Sequence, residues 1–588
     1  MTRRIVRTSS QLGFLVLLLV FLVYLLDTRY RVLPSAIHTH LPAHHPGLVV
    51  TDITVKTCSF SSCKLDPAVW HRIEKDLFLK SGWITKSYVH IQRKKEEDLK
   101  PEDKVVMDVK VGRLDPGKQD GAENGELWEK RPAGLWIKRS GKRQDSDSKD
   151  VVTAVDVLFG ADAVEPRPGW SIREQALLLD YPRDAPEARI TIRRGSPKKI
   201  DTPVPRVRKD GKFKIMQLAD LHLSTGLGTC RDAVPPSPDG KCEADPRTLS
   251  FVERLLDQEK PDFVVLSGDQ VNGETAPDAQ SAIFKFVDIL ASRKIPYAAI
   301  YGNHDDEGSL SRQATADLLQ TLPYSMTQSG PNTIPGVGNY YIRVLSHTGH
   351  HAALTMFFLD THSYSPDEHK YKGYDWIKPE QIQWFKAAAE SLKADNKKYS
   401  HIHLDMAFIH IPLPEYRDGG VLVGERREPP TSPGYNSGFR DALVEMGVPV
   451  VSCGHDHAND YCLLSEKQGQ FDLPERRKRA PPPAAEDSFP PGDANKDAET
   501  GDSTDAPVQE NKPTPAQRKK DDKIWLCYGG GVGFGGYGGW NGYIRRVRFF
   551  ELDANEAKIR TWKRVEYGDV ASRIDEQVIV DAGKVVRN

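Results

Sequence analysis

Cysteine is scarce in this chain, with seven in 588 residues. So few cannot build a disulfide scaffold, and the odd count leaves at least one thiol unpaired within a monomer. A surplus of charge is missing too. Lys and Arg total 81, Asp and Glu 82, and the formal net charge is −1, so composition gives no case for a nucleic-acid binder. There is no N-x-[ST] sequon, an absence that leans toward a cytosolic location. No G-K-[ST] follows the glycine-rich "IWLCYGGGVGFGGYGGW", which is therefore no P-loop. No uncharged apolar run reaches the ~20 residues of a full membrane span.

What is present is a normal soluble balance, 38% hydrophobic and 28% charged, in a chain long enough for two or three domains, roughly. The N-terminus departs from it. Leu12 to Leu26 reads "LGFLVLLLVFLVYLL", after Arg3, Arg4 and Arg7 and before Asp27, Arg29 and Arg31. A single-pass transmembrane signal-anchor over 12–26 is the preferred reading and a cleaved signal peptide the second, since no small-x-small site closely follows Leu26. The arginines lead narrowly on the N-terminal side. The expectation is a single-pass membrane protein whose catalytic part faces the lumen or vacuole, with the cytosolic side as the alternative.

Residues 27–47, with His38, His40, His44 and His45 among prolines, read as a flexible stem completing a 1–47 N-terminal region. Over 48–200, "GLVVTDITVKTC", "AGLWIKRS" and "ARITIRR" alternate partially, which suggests a β-rich accessory domain. In it, Cys58 and Cys63 either form a local disulfide or stay free. The texture changes from 212. "FKIMQLADLHLS", "PDFVVLSGDQVNG" and "IPYAAIYGNHDDE" are apolar runs ending in polar residues. "PRTLSFVERLLDQEK" and "DAQSAIFKFVDILASRK", between them, have helical spacing. That is βαβ organisation with a largely parallel inner sheet, whose sites lie at strand ends. "LTMFFLDTHSY", "HLDMAFIHIPLPEY" and "VPVVSCGHDHANDYC" repeat the form. Residues 466–523, rich in Pro, Asp, Lys and Ala, read as a disordered insertion whose "RRKR" at 476–479 is a solvated charge run. Residues 524–588 supply closing strands and a C-terminal tail, with the glycine-rich segment as a tight aromatic turn near the site.

The polar residues at the strand tips are Asp220, His222, Asp269, Asn303, His304, His410, His455 and His457. Carboxylates and imidazoles suit divalent metals of borderline hardness. One four-ligand site would leave several unused, whereas two adjacent metals sharing a carboxylate take about seven. Asp220 and His222, like His455 and His457, stand two apart and would face the same way on a strand. Count and geometry suit a dinuclear centre.

"DLH", "GDQVNG", "GNHD", "FIHIP" and "GHDH", in this order at strand ends over 212–465, resemble the five blocks of the calcineurin-like metallophosphoesterases. The wording of "QLADLHLS", "PDFVVLSGDQVNGET" and "GHDHANDYC" is most similar to the fungal dosage-dependent cell-cycle regulator phosphatases and the purple-acid-phosphatase-28-like proteins. The resemblance implies an α/β fold, a four-layer α-β-β-α sandwich behind the β-rich domain and the transmembrane helix. It implies two divalent or trivalent metal ions (Fe, Zn or Mn). Asp220, His222 and His457 would hold the first, Asn303, His410 and His455 the second, and Asp269 would bridge them. It implies in-line attack on a phosphomonoester, phosphoproteins included, by a metal-bridging hydroxide. His304 would be the catalytic residue that stabilises charge or protonates the leaving alcohol.

Two departures stand out. No tyrosine occupies the metal-ligand place of the coloured purple acid phosphatases. The G-D-x-V-D-R-G of Ser/Thr protein phosphatases becomes Asn272 and Gly273 here, so phosphate must be gripped otherwise. Arg545, Arg546 and Arg548 on the last strand are candidates, and Asn459 is a further substrate contact. Cys453 and Cys462 read as bystanders of the GHDH loop, and Asp360 of "LDTHS" as structural. A phosphodiesterase on a nucleotide or lipid head group is the alternative, and a catalytically silent phosphate-binding scaffold the second. The partners expected are a phosphorylated substrate and the membrane, through the one helix, with no nucleic acid. The sequence sets no oligomeric state.

Overall fold

The computed structural model describes residues 11–23 and 48–587, apart from 60–62, 64, 80–84, 96–97, 101, 120–127, 141–149, 181–184, 201, 467–521 and 539–541. The stem histidines, "RRKR" and nearly all of the 466–523 insertion lie outside the described residues. The signal-anchor expected over 12–26 is not supported. A helix covers 11–23 with its side chains exposed almost throughout, and no helix among the described residues is long and apolar enough to cross a membrane. Residues 24–26 lie outside the described residues.

The accessory domain repeats one unit three times. The strands are β1 (Leu48–Ser59), β2 (Trp70–Arg72) and β3 (Thr85–Lys95); β4 (Val106–Val111), β5 (Trp128–Lys130) and β6 (Leu135–Arg139); and β7 (Val152–Phe159), β8 (Trp170–Ile172) and β9 (Ala188–Arg194). Each trio forms an antiparallel sheet with its third strand in the middle, in the orders β1-β3-β2, β4-β6-β5 and β7-β9-β8. A tryptophan opens each short second strand. One small sheet cannot bury its apolar face alone, and the three close on a common core that includes Val50, Ile53, Val109, Ile137, Val157 and Ile190.

The catalytic domain adds β10 (Lys212–Leu218), β11 (Phe263–Ser267), β12 (Tyr297–Ile300), β13 (Tyr340–Leu345), β14 (Ala352–Phe358), β15 (Leu404–Phe408), β16 (Val421–Val423), β17 (Val450–Cys453), β18 (Cys462–Ser465), β19 (Ile524–Tyr528), β20 (Arg546–Asp553), β21 (Lys558–Val565), β22 (Ile574–Asp581) and β23 (Lys584–Val585). One seven-stranded sheet runs β12-β11-β10-β20-β21-β22-β23 and the other β13-β14-β15-β17-β19-β18-β16. β10, β11 and β12 are parallel, as are β14, β15, β17 and β19. The sheets pack face to face through Ile215, Val265 and Phe550 on one side and Met356, Phe408 and Trp525 on the other. Helices α1 (Ala244–Glu259) and α2 (Ala279–Ser292) cover the first sheet. Helices α4 (Pro379–Asn396) and α5 (Phe439–Met446) cover the second, and α3 (Arg312–Gln320) lies at the first sheet's β12 side. With both faces covered, β11, β12, β14, β17 and β19 are buried at every residue, which is why they read as continuous apolar runs. The stretch 524–588, expected to supply closing strands and a tail, contributes five strands reaching Val585, four of which complete the first sheet.

The accessory domain packs on the outward face of α2. Phe159 N donates to Ser281 Oγ (2.8 Å), the Arg167 guanidinium lies 4.9 Å from the Phe284 ring centroid, and Lys75 pairs with Asp278 (3.2 Å). Buried Lys285 pairs with Asp162 of the accessory domain (2.5 Å) and Asp245 of α1 (2.7 Å).

Candidate metal centre

All eight strand-tip residues stand just past the C-terminal ends of β10, β11, β12, β15 and β17, so both sheets deliver them to one end. Asp220 and His222 are not on a strand. They lie beyond β10 at φ 57° and 46°, in the left-handed region, as do Asp269 (51°) and His455 (79°). Their convergence comes from turn geometry rather than strand alternation. Such a conformation costs of order 1–3 kcal/mol in a residue other than glycine and concentrates where function requires it.

Six of the side chains form two buried clusters, Asp220 with His222 and His457, and Asp269 with His410 and His455, each with its ligand atoms within 4.8 Å of one another. His457 Nδ1 donates to Tyr537 O (2.8 Å), which turns Nε2 toward Asp220 Oδ1 (3.5 Å) and His222 Nε2 (3.0 Å). His410 Nδ1 donates to Ser267 O (2.9 Å), which turns Nε2 toward Asp269 Oδ2 (3.2 Å) and Asn303 Oδ1 (3.3 Å). His222 Nε2 is 3.8 Å from Asp269 Oδ2, so Asp269 lies between the clusters. Backbone carbonyls orienting imidazoles in this way are the usual outer support of metal ligands.

Burial, then the facing His457, holds His222 well below the ordinary imidazole range. Burial and His410 do the same to His455. Both are neutral, the form that ligates metal. Burial alone would raise Asp269, but His410 and then His222 outweigh it and hold it well below the usual range. Two buried imidazole nitrogens facing at 3.0 Å, with carboxylates beside them, are a donor set for cations of the Fe, Zn or Mn type, and the residues fit.

Small residues allow this closeness. A Cβ on Gly268 (φ +98°) would fall 2.1 Å from His410 Nδ1. One on Gly536, in the glycine-rich segment, would fall 2.5 Å from His457 and 2.6 Å from His222. The same segment stacks Tyr537 on His457 (3.9 Å, 7°) and so acts as its backing.

His304 is about one-third exposed, with its ring 5.3 Å from that of His222. Its Nδ1 meets Glu307 Oε2 at 2.6 Å. Burial lowers its pKa, but Asp269 and Glu307 together raise it above the ordinary value. Asn272, of the GDQVNG block, donates to Gly535 O (3.4 Å). Glu307 was missed in the sequence, although it stands one helical turn after His304. Asp305 was missed too. It accepts from Gly302 N (2.7 Å), Asp269 N (2.9 Å) and Val271 N (3.1 Å), and so holds the two ligand turns together.

Three expected substrate contacts are corrected. Asn459 is fully buried. Its Oδ1 accepts from Arg427 N (3.0 Å) and Glu428 N (3.2 Å), and its Nδ2 donates to Glu428 O (3.0 Å), so it braces the 424–432 loop. Arg545 is buried under the glycine-rich segment and donates to Gly533 O (2.8 Å), Gly536 O (3.1 Å) and Arg231 O (3.0 Å). Arg546 pairs with buried Asp460. Arg548, the fourth candidate, is spent on Tyr528 O (2.6 Å) and Asp460 O (2.5 Å). Cys462 is no bystander, since it forms a disulfide with Cys527 across β18 and β19. Cys230 pairs with Cys242 and Cys58 with Cys63, while Cys453 is a buried free thiol. Asp360 is structural, pairing with Arg312 and accepting from Val337 N (2.8 Å).

Layer order, ligand positions and residue types together define a metallophosphoesterase, and residues 213–459 match the calcineurin-like phosphoesterase family model. The chain belongs to that family and is a hydrolase of phosphoric esters. It is 36% identical over 451 residues to Phosphatase DCR2 of Saccharomyces cerevisiae, covering 74% of this chain and 67% of that one. It is 32% identical over 402 residues to Probable inactive purple acid phosphatase 29 of Arabidopsis thaliana, covering 64% and 87%. Among solved structures it is similar to a dimetal phosphatase from Danio rerio, with 11% identity, a TM-score of 0.37 and coverage of 63% of this chain and 99% of that one.

Proposed function

We propose that the chain is a two-metal phosphatase acting on phosphomonoesters, phosphoproteins among them. The observation that carries this is Asp269, set between two buried ligand clusters, with His222 Nε2 at 3.8 Å on one side and His410 Nε2 at 3.2 Å on the other. Asp220, His222 and His457 would hold one ion and Asn303, His410 and His455 the other, with Asp269 shared between the two sets. Ions bound there would supply positive charge for an in-line displacement at phosphorus. His304, with Nδ1 held by Glu307, keeps a proton at Nε2 and delivers it to the leaving oxygen.

The similarity to a protein named a phosphatase supports the monoester reading. The test is turnover of an aryl phosphate against the matching diester, with Mn²⁺ or Zn²⁺ supplied. The monoester should be hydrolysed much the faster. Faster cleavage of the diester would make the chain a phosphodiesterase, and turnover of neither would leave a phosphate-binding scaffold. The three disulfides support an oxidising compartment, with the catalytic domain on a lumenal or vacuolar side. Immunolocalisation with protease protection checks this.

A further inference from the structure

The phosphatase reading leaves the leaving group without a binding site, because the strand arginines and Asn459 are used internally. The 361–378 loop supplies one. Its arms are pinned together by Ser365 N to Gly373 O (2.9 Å) and Asp375 N to Ser363 O (3.0 Å). The rings of Tyr364 and Tyr374 stack at 5.6 Å and 22° across these arms. Tyr374 stands edge-on to the ligand His455 at 4.3 Å. The Tyr364 hydroxyl donates to Glu307 Oε1 (3.2 Å), the same carboxylate that holds His304. Tyr364 is nonetheless 52% exposed. Its hydroxyl is fixed and one face is packed, while the rest of the ring stays open beside the catalytic histidine. Of the large apolar residues exposed in the described catalytic domain, Tyr364, Ile402 and Tyr567, it is Tyr364 that bonds to a residue of the site.

From this geometry we infer that Tyr364, backed by Tyr374, is the leaving-group subsite, and that it selects phosphomonoesters of aromatic alcohols. A flat ring leaving from the His304 side meets a prepositioned aromatic face, which costs little ordering on binding. An aliphatic leaving group gains nothing comparable. This rests on the phosphomonoesterase reading, so the test is one of binding rather than turnover. Calorimetry on the metal-loaded full chain compares phenylphosphonate with methylphosphonate. The expected result is phenylphosphonate the tighter by roughly 5-fold. That preference should vanish in Tyr364→Leu and persist in Tyr364→Phe, which keeps the ring and loses only the hydroxyl with its contacts to Glu307 and Asn303. Thermal melting checks that both variants are folded. Equal affinity of the two phosphonates for the wild type would overturn the subsite alone, as would a Tyr364→Leu variant that weakens both alike. Binding of neither would overturn the subsite together with the phosphatase reading.

Discussion

Two buried charged clusters lie back to back in the catalytic domain, and they behave in opposite ways. In the candidate metal centre, like groups face one another, His222 against His457 at 3.0 Å, and Asp220, His222, Asp269 and His455 are held in left-handed backbone. Behind it, Asp460 is ringed by opposite charge. Its carboxylate pairs with Arg546 and with Lys563 (2.9 Å), its carbonyl accepts from Arg548 (2.5 Å), and Lys563 pairs on with Asp575. Burial would raise Asp460, but Lys563 and Arg546 pull it down to about 2. The second cluster is complete without a ligand and ties the GHDH loop to β20, β21 and the start of β22. Burial and charge are common to both. A left-handed residue occurs in each, Asp575 (φ 50°) in the second, but four are gathered in the first. Unmet convergence belongs only to the first, and it marks the site.

Substitutions in the two clusters should therefore separate activity from stability. Asp269→Asn removes the bridging charge and should lower kcat by about 10³-fold or more with little change in melting temperature, read by steady-state kinetics and calorimetry. Asp460→Ala should do the reverse. It strands Lys563 and Arg546 in the interior and should cost about 3–5 kcal/mol by denaturant unfolding, while the folded fraction keeps its metal. His304→Ala should lose roughly 10²-fold in kcat with metal retained, and Glu307→Gln roughly 10-fold. A loss of stability in Asp269→Asn matching that of Asp460→Ala would erase the distinction.

A third cluster sharpens it. Lys285 faces two carboxylates, Asp162 and Asp245, so charge is unbalanced without any metal chemistry. Burial raises Asp245 to about 7 despite Lys285. Between roughly pH 4 and 7 the folded chain then holds a proton that the unfolded chain has lost. The stability this gives is full below pH 4 and is lost as pH rises through 7. Asp245→Asn, neutral throughout, should flatten that decline, so its melting temperature should gain a few degrees on the wild type between pH 5 and pH 8.

The same contrast explains what the sequence made legible. The metal-site candidates could be read because strand-tip motifs announce them, five blocks in order. Asn459, Arg545 and Arg546 were misassigned because a polar residue beside a ligand loop or a glycine-rich turn reads the same whether it faces substrate or the interior. Only the register of β20 against β21 and the position of Asp460 decide. Glu307 and Asp305 went unread although Asp305 closes the GNHD block and Glu307 stands two residues past it, because their partners are backbone groups and a histidine set by the fold. The threefold accessory domain left a trace in the tryptophans at 70, 128 and 170, but each repeat is short and differently interrupted.

Metal content tests the central claim most directly. Inductively coupled plasma mass spectrometry on the purified full chain should find about two transition-metal ions per molecule. The content should fall in Asp269→Asn and stay unchanged in Arg546→Met. One ion or none in the wild type, or a content indifferent to Asp269→Asn, would contradict the two-metal account.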